Sequence, residues 1–148
     1  MFPEIDIEME TDIEEETAVT EQPKLGRVPL YDFKNREYVV RDGKVVEATE
    51  DEAIRQWVAF LILTKKDKFE VYKDTDFGTY IDNYIGMRGN NLGFVASEFE
   101  REIEEGCELN PFISGIKDFS MEVDGGKATV SLTVIKADKT ELEVISDV

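Results

Sequence analysis

The chain has 148 residues, 41% of them hydrophobic, enough for one domain with a buried core but not for two. Its longest apolar run, residues 57–63, falls far short of the ~20 residues that cross a bilayer. Acidic residues outnumber basic ones 34 to 17, and a net charge of −17 repels phosphates and anionic lipids, so neither nucleic acid nor membrane is an expected partner.

The charge is concentrated at the start. Residues 1–23 hold nine acids and no base, which leaves −8 for the other 125 residues. Ile5, Ile7 and Met9 alternate with Asp6, Glu8 and Glu10, the period of an extended strand with one apolar face. Acidic termini are most often solvated and disordered. The alternation supports a sharper expectation, an arm that adds a strand to a partner's sheet through Ile5 and Ile7. No basic region or apolar stretch of a secretory leader is visible here. Pro23 and Pro29 bracket a stiff, non-helical link. The expected organisation is an extended or disordered acidic arm over 1–29 and one α+β domain over 30–148.

Residues 30–34 and 37–47 read as short strands, with Asp42-Gly43 a two-residue hairpin turn. Thr49 is placed to cap a helix, and Glu52 three residues on completes a capping box. Glu50, Asp51 and Glu52 suit the positive end of the helix dipole. Ile54, Trp57, Val58, Leu61 and Ile62 follow helical spacing and form one apolar face. Phe60 and Leu63 widen it, which predicts burial on two sides in the second half. Trp57 is the largest apolar group on the inner face, and Lys65 and Lys66 end the helix at its negative pole.

Phe69, Val71 and Tyr72 read as the next strand, and residues 74–78 as a turn. A short helix is expected over 80–85, then a loop marked by Gly86, Gly89, Asn90, Asn91 and Gly93. A second helix spans about 92–105, with Val95, Phe99 and Ile103 on its inner face and Glu98, Glu102, Glu104 and Glu105 outside. Gly106 is placed to stop it, and Pro111 reinforces the stop. The last third reads as a β-meander. Phe119, Met121 and Val123 alternate up to Asp124-Gly125-Gly126; Val130, Leu132 and Val134 alternate down to Ala137-Asp138-Lys139; Leu142 and Val144 follow. Thr129, Ser131 and Thr133 give the middle strand a polar outer face. The final strand, about 140–147, leaves a free edge unless something pairs with it. The fold class is thus α+β: a small antiparallel or mixed sheet, two main helices and a C-terminal meander.

No catalytic centre, cofactor or metal is expected. There is no histidine, which removes the commonest general base and metal ligand. Cys107, the one cysteine, lies among Glu104, Glu105 and Glu108, which oppose a thiolate; it fits a reducing compartment and a structural place. Asp74, Asp76 and Asp82 hint at calcium, but Thr79 and Ile85 occupy the positions where an EF-hand loop needs Gly and Glu. Carboxylate pairs for glycoside cleavage can be drawn anywhere among 34 acids and carry no weight.

Residues 31–86 resemble the lysozyme-like baseplate proteins of contractile phage tails, in the type found in defective prophages and tail-like bacteriocins of Gram-positive bacteria. The resemblance rests on Tyr31-Asp32-Phe33, the hairpin, Glu52-Ala53-Ile54 with Gln56-Trp57, Thr64, Lys68-Phe69, Val71-Tyr72, Asp76-Phe77-Gly78 and Ile85-Gly86. Asn110-Pro111-Phe112-Ile113, Ile116 and Asp118-Phe119-Ser120 extend it to about residue 135. It implies a structural protein, not an enzyme: a sheath initiator that sits around the tail tube, contacts the baseplate wedge proteins and seeds the first ring of tail sheath protein. It also implies several copies in a symmetric particle, located at the tail baseplate and assembled in the bacterial cytoplasm. The rival is a peptidoglycan-cleaving tail enzyme. The chain departs from the family at Glu108–Ile113, where a Glu-Pro-Arg triplet is the rule; the proline is kept at 111, no arginine follows, and Phe112 stands in its place as an apolar contact. The expected contact residues are Thr140, Leu142, Val144 and Ile145 on the edge strand, Pro111 and Phe112 at the helix-to-sheet turn, and Ile5 and Ile7 in the arm.

Overall fold

The computed structural model describes residues 24–81 and 92–148. The acidic segment with Ile5 and Ile7 lies outside them, as do the loop at 86–91 and the expected short helix after Ile81.

Four two-residue strands open the described chain: β1 (Tyr31–Asp32), β2 (Glu37–Tyr38), β3 (Val40–Arg41) and β4 (Lys44–Val45). β1 pairs with β2 and β3 with β4, both antiparallel. Asp42 and Gly43 have φ of 51° and 74°, the left-handed pair that an Asp-Gly hairpin requires. A bond from Val39 N–H to Leu30 O (2.9 Å) extends the first pairing, and one from Leu30 N–H to Val46 O (2.8 Å) joins the two hairpins.

Helix α1 (Glu50–Leu63) starts at the expected cap: the Thr49 hydroxyl accepts from Glu52 N–H and the Glu52 carboxylate accepts from Thr49 N–H. Ile54, Val58, Leu61 and Ile62 are buried. Trp57 is part-buried, its ring edge-on to Phe77 at 5.4 Å. The two-sided burial holds only as far as Phe60, whose ring meets Tyr31 at 5.1 Å and Phe33 at 4.9 Å. Leu63, one turn beyond that cover, is 41% exposed.

The strand expected over Phe69–Tyr72 is instead a 3₁₀ turn, Glu70–Tyr72. Asp67 and Asp74 sit at φ of 62° and 64° and bend the chain on both sides of it. Tyr72 N–H and Lys73 N–H then bond locally, to Phe69 O and Glu70 O, where a strand needs a neighbour. The returning chain is fixed to the end of α1 by Lys66 N–H to Thr79 O (3.0 Å) and Thr79 N–H to Thr64 O (2.9 Å). Gly78 is required there: at φ 110° a Cβ would stand 2.9 Å from Thr64 O.

Helix α2 spans Leu92–Cys107 with Val95, Phe99 and Ile103 inward. Two expectations fail on it. Glu102 is buried, because the returning chain lies over that face and Tyr80 N–H donates to its carboxylate at 2.9 Å. Gly106 does not stop the helix; it lies inside it, and a Cβ there would be 2.6 Å from Leu61 Cδ1. Glycine at this position lets the two helices approach. The stop comes at Asn110, whose N–H donates to Cys107 O and whose Oδ1 accepts from Phe112 N–H.

The meander is as expected: β5 (Ile113–Asp124), β6 (Lys127–Lys136) and β7 (Glu141–Asp147), antiparallel in the order β5-β6-β7. Gly125 and Gly126, both left-handed, close the first turn. Val130, Leu132, Val134, Leu142 and Val144 form the inner face, and the core is made where they meet Ile54, Val58, Leu61, Phe99 and Ile103. β7 packs on α1 and β5 on α2. β5 is interrupted by a register shift between Lys117 and Ser120, with Asp118 at φ 53°.

Candidate partner-binding surface

The pairing of β7 decides which of its groups are available. Ala128 and Val148 exchange both main-chain bonds (2.7 and 3.2 Å), and Lys136 N–H donates to Thr140 O at 2.8 Å. Antiparallel pairs alternate, so even-numbered residues 140–148 turn their main chain to β6. Glu141, Glu143, Ile145 and Asp147 turn theirs outward. Among the described residues, the outer main chain of β7 meets one donor: Arg55 Nε, from the polar side of α1, reaches Glu143 O at 3.1 Å.

Side chains alternate the other way. Leu142, Val144 and Ser146 are buried, while Ile145 is 63% exposed. Beside the edge runs an open groove of about 200 Å³, lined by Leu30, Tyr31, Phe33, Arg55, Ala59 and Val144. Gln56 fixes its far wall to α1, accepting from Tyr31 N–H (2.8 Å) and donating to Pro29 O (3.0 Å). On the solvent face Glu141 pairs with Lys117, Asp147 accepts from the Thr129 hydroxyl at 3.0 Å, and Glu143 and Ile145 lie between them.

The expected contact residues divide accordingly. Ile145 is presented outward. Leu142 and Val144 are not: their side chains belong to the core against α1, and only their neighbours' main chain is on offer. Thr140 donates its N–H and hydroxyl to Asp138 Oδ1 (2.9 and 2.6 Å), which closes the β6–β7 turn and holds the Asp138 carboxyl below its ordinary range. Phe112 is part-buried on the core and its carbonyl accepts from Ala137 N–H at 2.9 Å; Pro111 is exposed. The structure thus gathers Pro111, Phe112 and Thr140 at one end of the sheet, with Ile145 farther along the edge.

Arg55 was not visible as an edge residue from sequence. It reads as one more charge on a helix's polar side, and its reach to β7 exists only in the folded chain. A second hollow, of about 600 Å³, lies across α1, lined by Tyr38, Trp57, Phe60, Tyr72, Phe77 and Leu109. Its aromatic rings stack on one another, Tyr72 with Phe77 at 4.8 Å. Cys107 is 2% exposed, and burial, assisted by Glu104, pushes its thiol up to about 12. A thiol so placed stays protonated at neutral pH and offers no nucleophile. Among the described residues no cluster of three or more metal-ligating side chains occurs.

Comparison with known proteins places this arrangement. The profile of the contractile injection system sheath initiator family matches residues 27–139. The phage-like element PBSX protein XkdS of Bacillus subtilis strain 168 is 28% identical over 144 residues, 96% of this chain and 92% of that one. A crystal structure described as a putative tail lysozyme from Geobacter sulfurreducens shares the fold, with a TM-score of 0.55 at 15% identity over 70% of this chain and 93% of that one. On a match that covers the hairpins, both helices and most of the meander, the chain belongs to the contractile injection system sheath initiator family, structural components of the tail particle that associate with its sheath.

Proposed function

We propose that this protein seeds the sheath by strand addition at β7. An extended segment of a tail sheath protein pairs with the outward main chain of Glu141, Glu143, Ile145 and Asp147 and becomes a fourth strand. The observation that carries this reading is the pairing pattern of β7, which turns those N–H and C=O groups away from the sheet and beside an apolar groove. Main-chain bonds supply affinity, and alternate side chains entering the groove fix the register. The end of the sheet at Pro111, Phe112 and Thr140 meets a baseplate wedge protein, the tube lies inside, and several copies surround it in the baseplate before the particle leaves the host cytoplasm. The part is structural and not enzymatic.

Truncating the chain at residue 139 is the wrong test, since it also removes Leu142 and Val144 from the core. Ile145→Pro deletes one outward N–H and no bond to β6, the placement that edge strands tolerate. Particles carrying it are expected to hold baseplates and tubes with no sheath, while Ile145→Thr, which keeps the N–H, sheathes normally. Full-length sheaths on Ile145→Pro particles would sink the reading. The name of the Geobacter protein motivates the muralytic alternative; clearing of a peptidoglycan gel by the pure protein would favour it.

A further inference from the structure

Apart from the Arg55 bond to Glu143 O, the outward main chain of β7 has no partner among the described residues, but its surroundings are not neutral. Its solvent-face row is Glu141, Glu143, Ile145 and Asp147, and the residues that pair beside it on β6 are Ile135, Thr133, Ser131 and Thr129. Among the described residues, Lys117 reaches the row from β5 and is engaged with Glu141, and Arg55 donates to the Glu143 carbonyl from the α1 side. The groove-facing side is apolar but for Arg55, Glu52 and Gln56; the Glu52 carboxylate is taken up in the helix cap and the Gln56 amide in its bonds to Tyr31 and Pro29. A strand laid along β7 therefore meets apolar surface with one set of alternate side chains and carboxylates with the other.

We infer that the β7 edge selects its partner by charge: it takes an extended strand with apolar side chains toward the groove and Lys or Arg toward solvent, and it rejects acidic strands, this chain's own included. The inference rests on the strand-addition reading and adds the chemistry of the partner. Opposite charges directly across an antiparallel pair stabilise it and like charges destabilise it. Two copies joined edge to edge by β7 would set the same acidic row against itself, which protects the protein from self-association along its open edge. Residues 5–10 meet the same refusal: with Ile5, Ile7 and Met9 toward the groove, Asp6, Glu8 and Glu10 would face Glu143 and Asp147. Acidic residues in both segments leave that edge open for a different chain.

Three synthetic peptides added to the full chain test this: alternating Ile and Lys, the same composition scrambled, and alternating Ile and Glu. Binding is read by calorimetry and located by amide exchange at Glu143 and Ile145. The alternating Ile-Lys peptide is expected to slow exchange at those amides and to bind about tenfold tighter than the Ile-Glu peptide, the scale of two or three cross-strand charge pairs. The double variant Glu143→Lys with Asp147→Lys should invert the order. The double variant Glu104→Lys with Glu108→Lys, which changes net charge equally on the exposed part of α2 and the turn after it, should leave it unchanged. Equal binding of the scrambled peptide, or equal loss from the α2 variant, would reduce the effect to bulk charge and overturn the inference. If both alternating peptides protect Glu143 and Ile145 equally, charge selection fails while strand addition stands. If no peptide protects them, strand addition fails and this inference with it.

Discussion

The motif-rich segment over residues 31–77 and the plain alternating meander over residues 113–148 fare differently on folding. The first carries most of the distinctive sequence: aromatic triplets, a capping box, the one tryptophan. Yet it leaves Tyr38 53%, Phe69 50% and Val71 81% exposed. The meander carries Val, Leu, Thr and Ser in simple alternation, and Val130, Leu132 and Val134 are each at most 1% exposed. Outside the inner face of α1, where Ile54, Val58, Leu61 and Ile62 are buried, the burial within these two segments is therefore concentrated where the sequence is least distinctive. Period-2 apolar residues are held inward by a register that cannot slip without turning the whole face to water. Aromatic residues at turns form a rim around α1, with surface to spare for contacts outside the chain.

The contrast can be broken by substitution. Leu132→Ala, at a fully buried side chain of the middle strand, is expected to cost about 2–5 kcal/mol; a denaturant titration showing less than about 1 kcal/mol would remove the meander from the centre of the fold. Gly106→Val forces a side chain against Leu61 at the crossing of the two helices and should cost about 1–3 kcal/mol. An unchanged melting temperature would mean that α1 and α2 have room to separate. Lys136 links the meander to the start of α1, with Nζ 2.7 Å from Asp51 Oδ1, and that carboxylate holds the ammonium above its ordinary range. Its contribution is whole below the unfolded lysine value of about 10.4 and is lost as pH rises through the higher folded value. Lys136→Met should then cost about 1 kcal/mol or less at neutral pH, since Asp51 is half exposed. The gap from the parent should close in melts above about pH 10.4; a gap constant in pH would assign the loss to packing alone. Leu63→Ala, the same chemical change as Leu132→Ala but at the exposed end of α1, should stay within about 0.5 kcal/mol. A cost matching that of Leu132→Ala would erase the distinction between the two segments.

Much of this was legible in the chain because local chemistry decided it. Asp42-Gly43 needs left-handed backbone and gets it; Thr49 and Glu52 satisfy each other's N–H groups; Ile54 through Ile62 and the alternation from Val130 to Val144 each follow one period. What was not legible depended on distant neighbours. Phe69-x-Val71 looks like a strand but has no sheet to join. Gly106 looks like a stop, yet its function is the contact with Leu61, 45 positions earlier. Glu102 looks like a solvent-facing acid, and only the return of the chain at Tyr80 gives it a donor. For the site, the terminal strand was readable as an edge. The same alternation that places Ile145 outward turns Leu142 and Val144 into the core. Arg55 beside Glu143 O follows from tertiary packing alone.

The central claim is that β7 is completed by a strand from another chain. A map of the assembled junction between baseplate and sheath, fine enough to trace main chain, tests it most directly. The account predicts a fourth strand alongside β7, bonded to the main chain of Glu143 and Ile145, with apolar side chains in the groove and Lys or Arg toward Glu143 and Asp147. A β7 edge left facing solvent in that map, or met only through side chains, would contradict it.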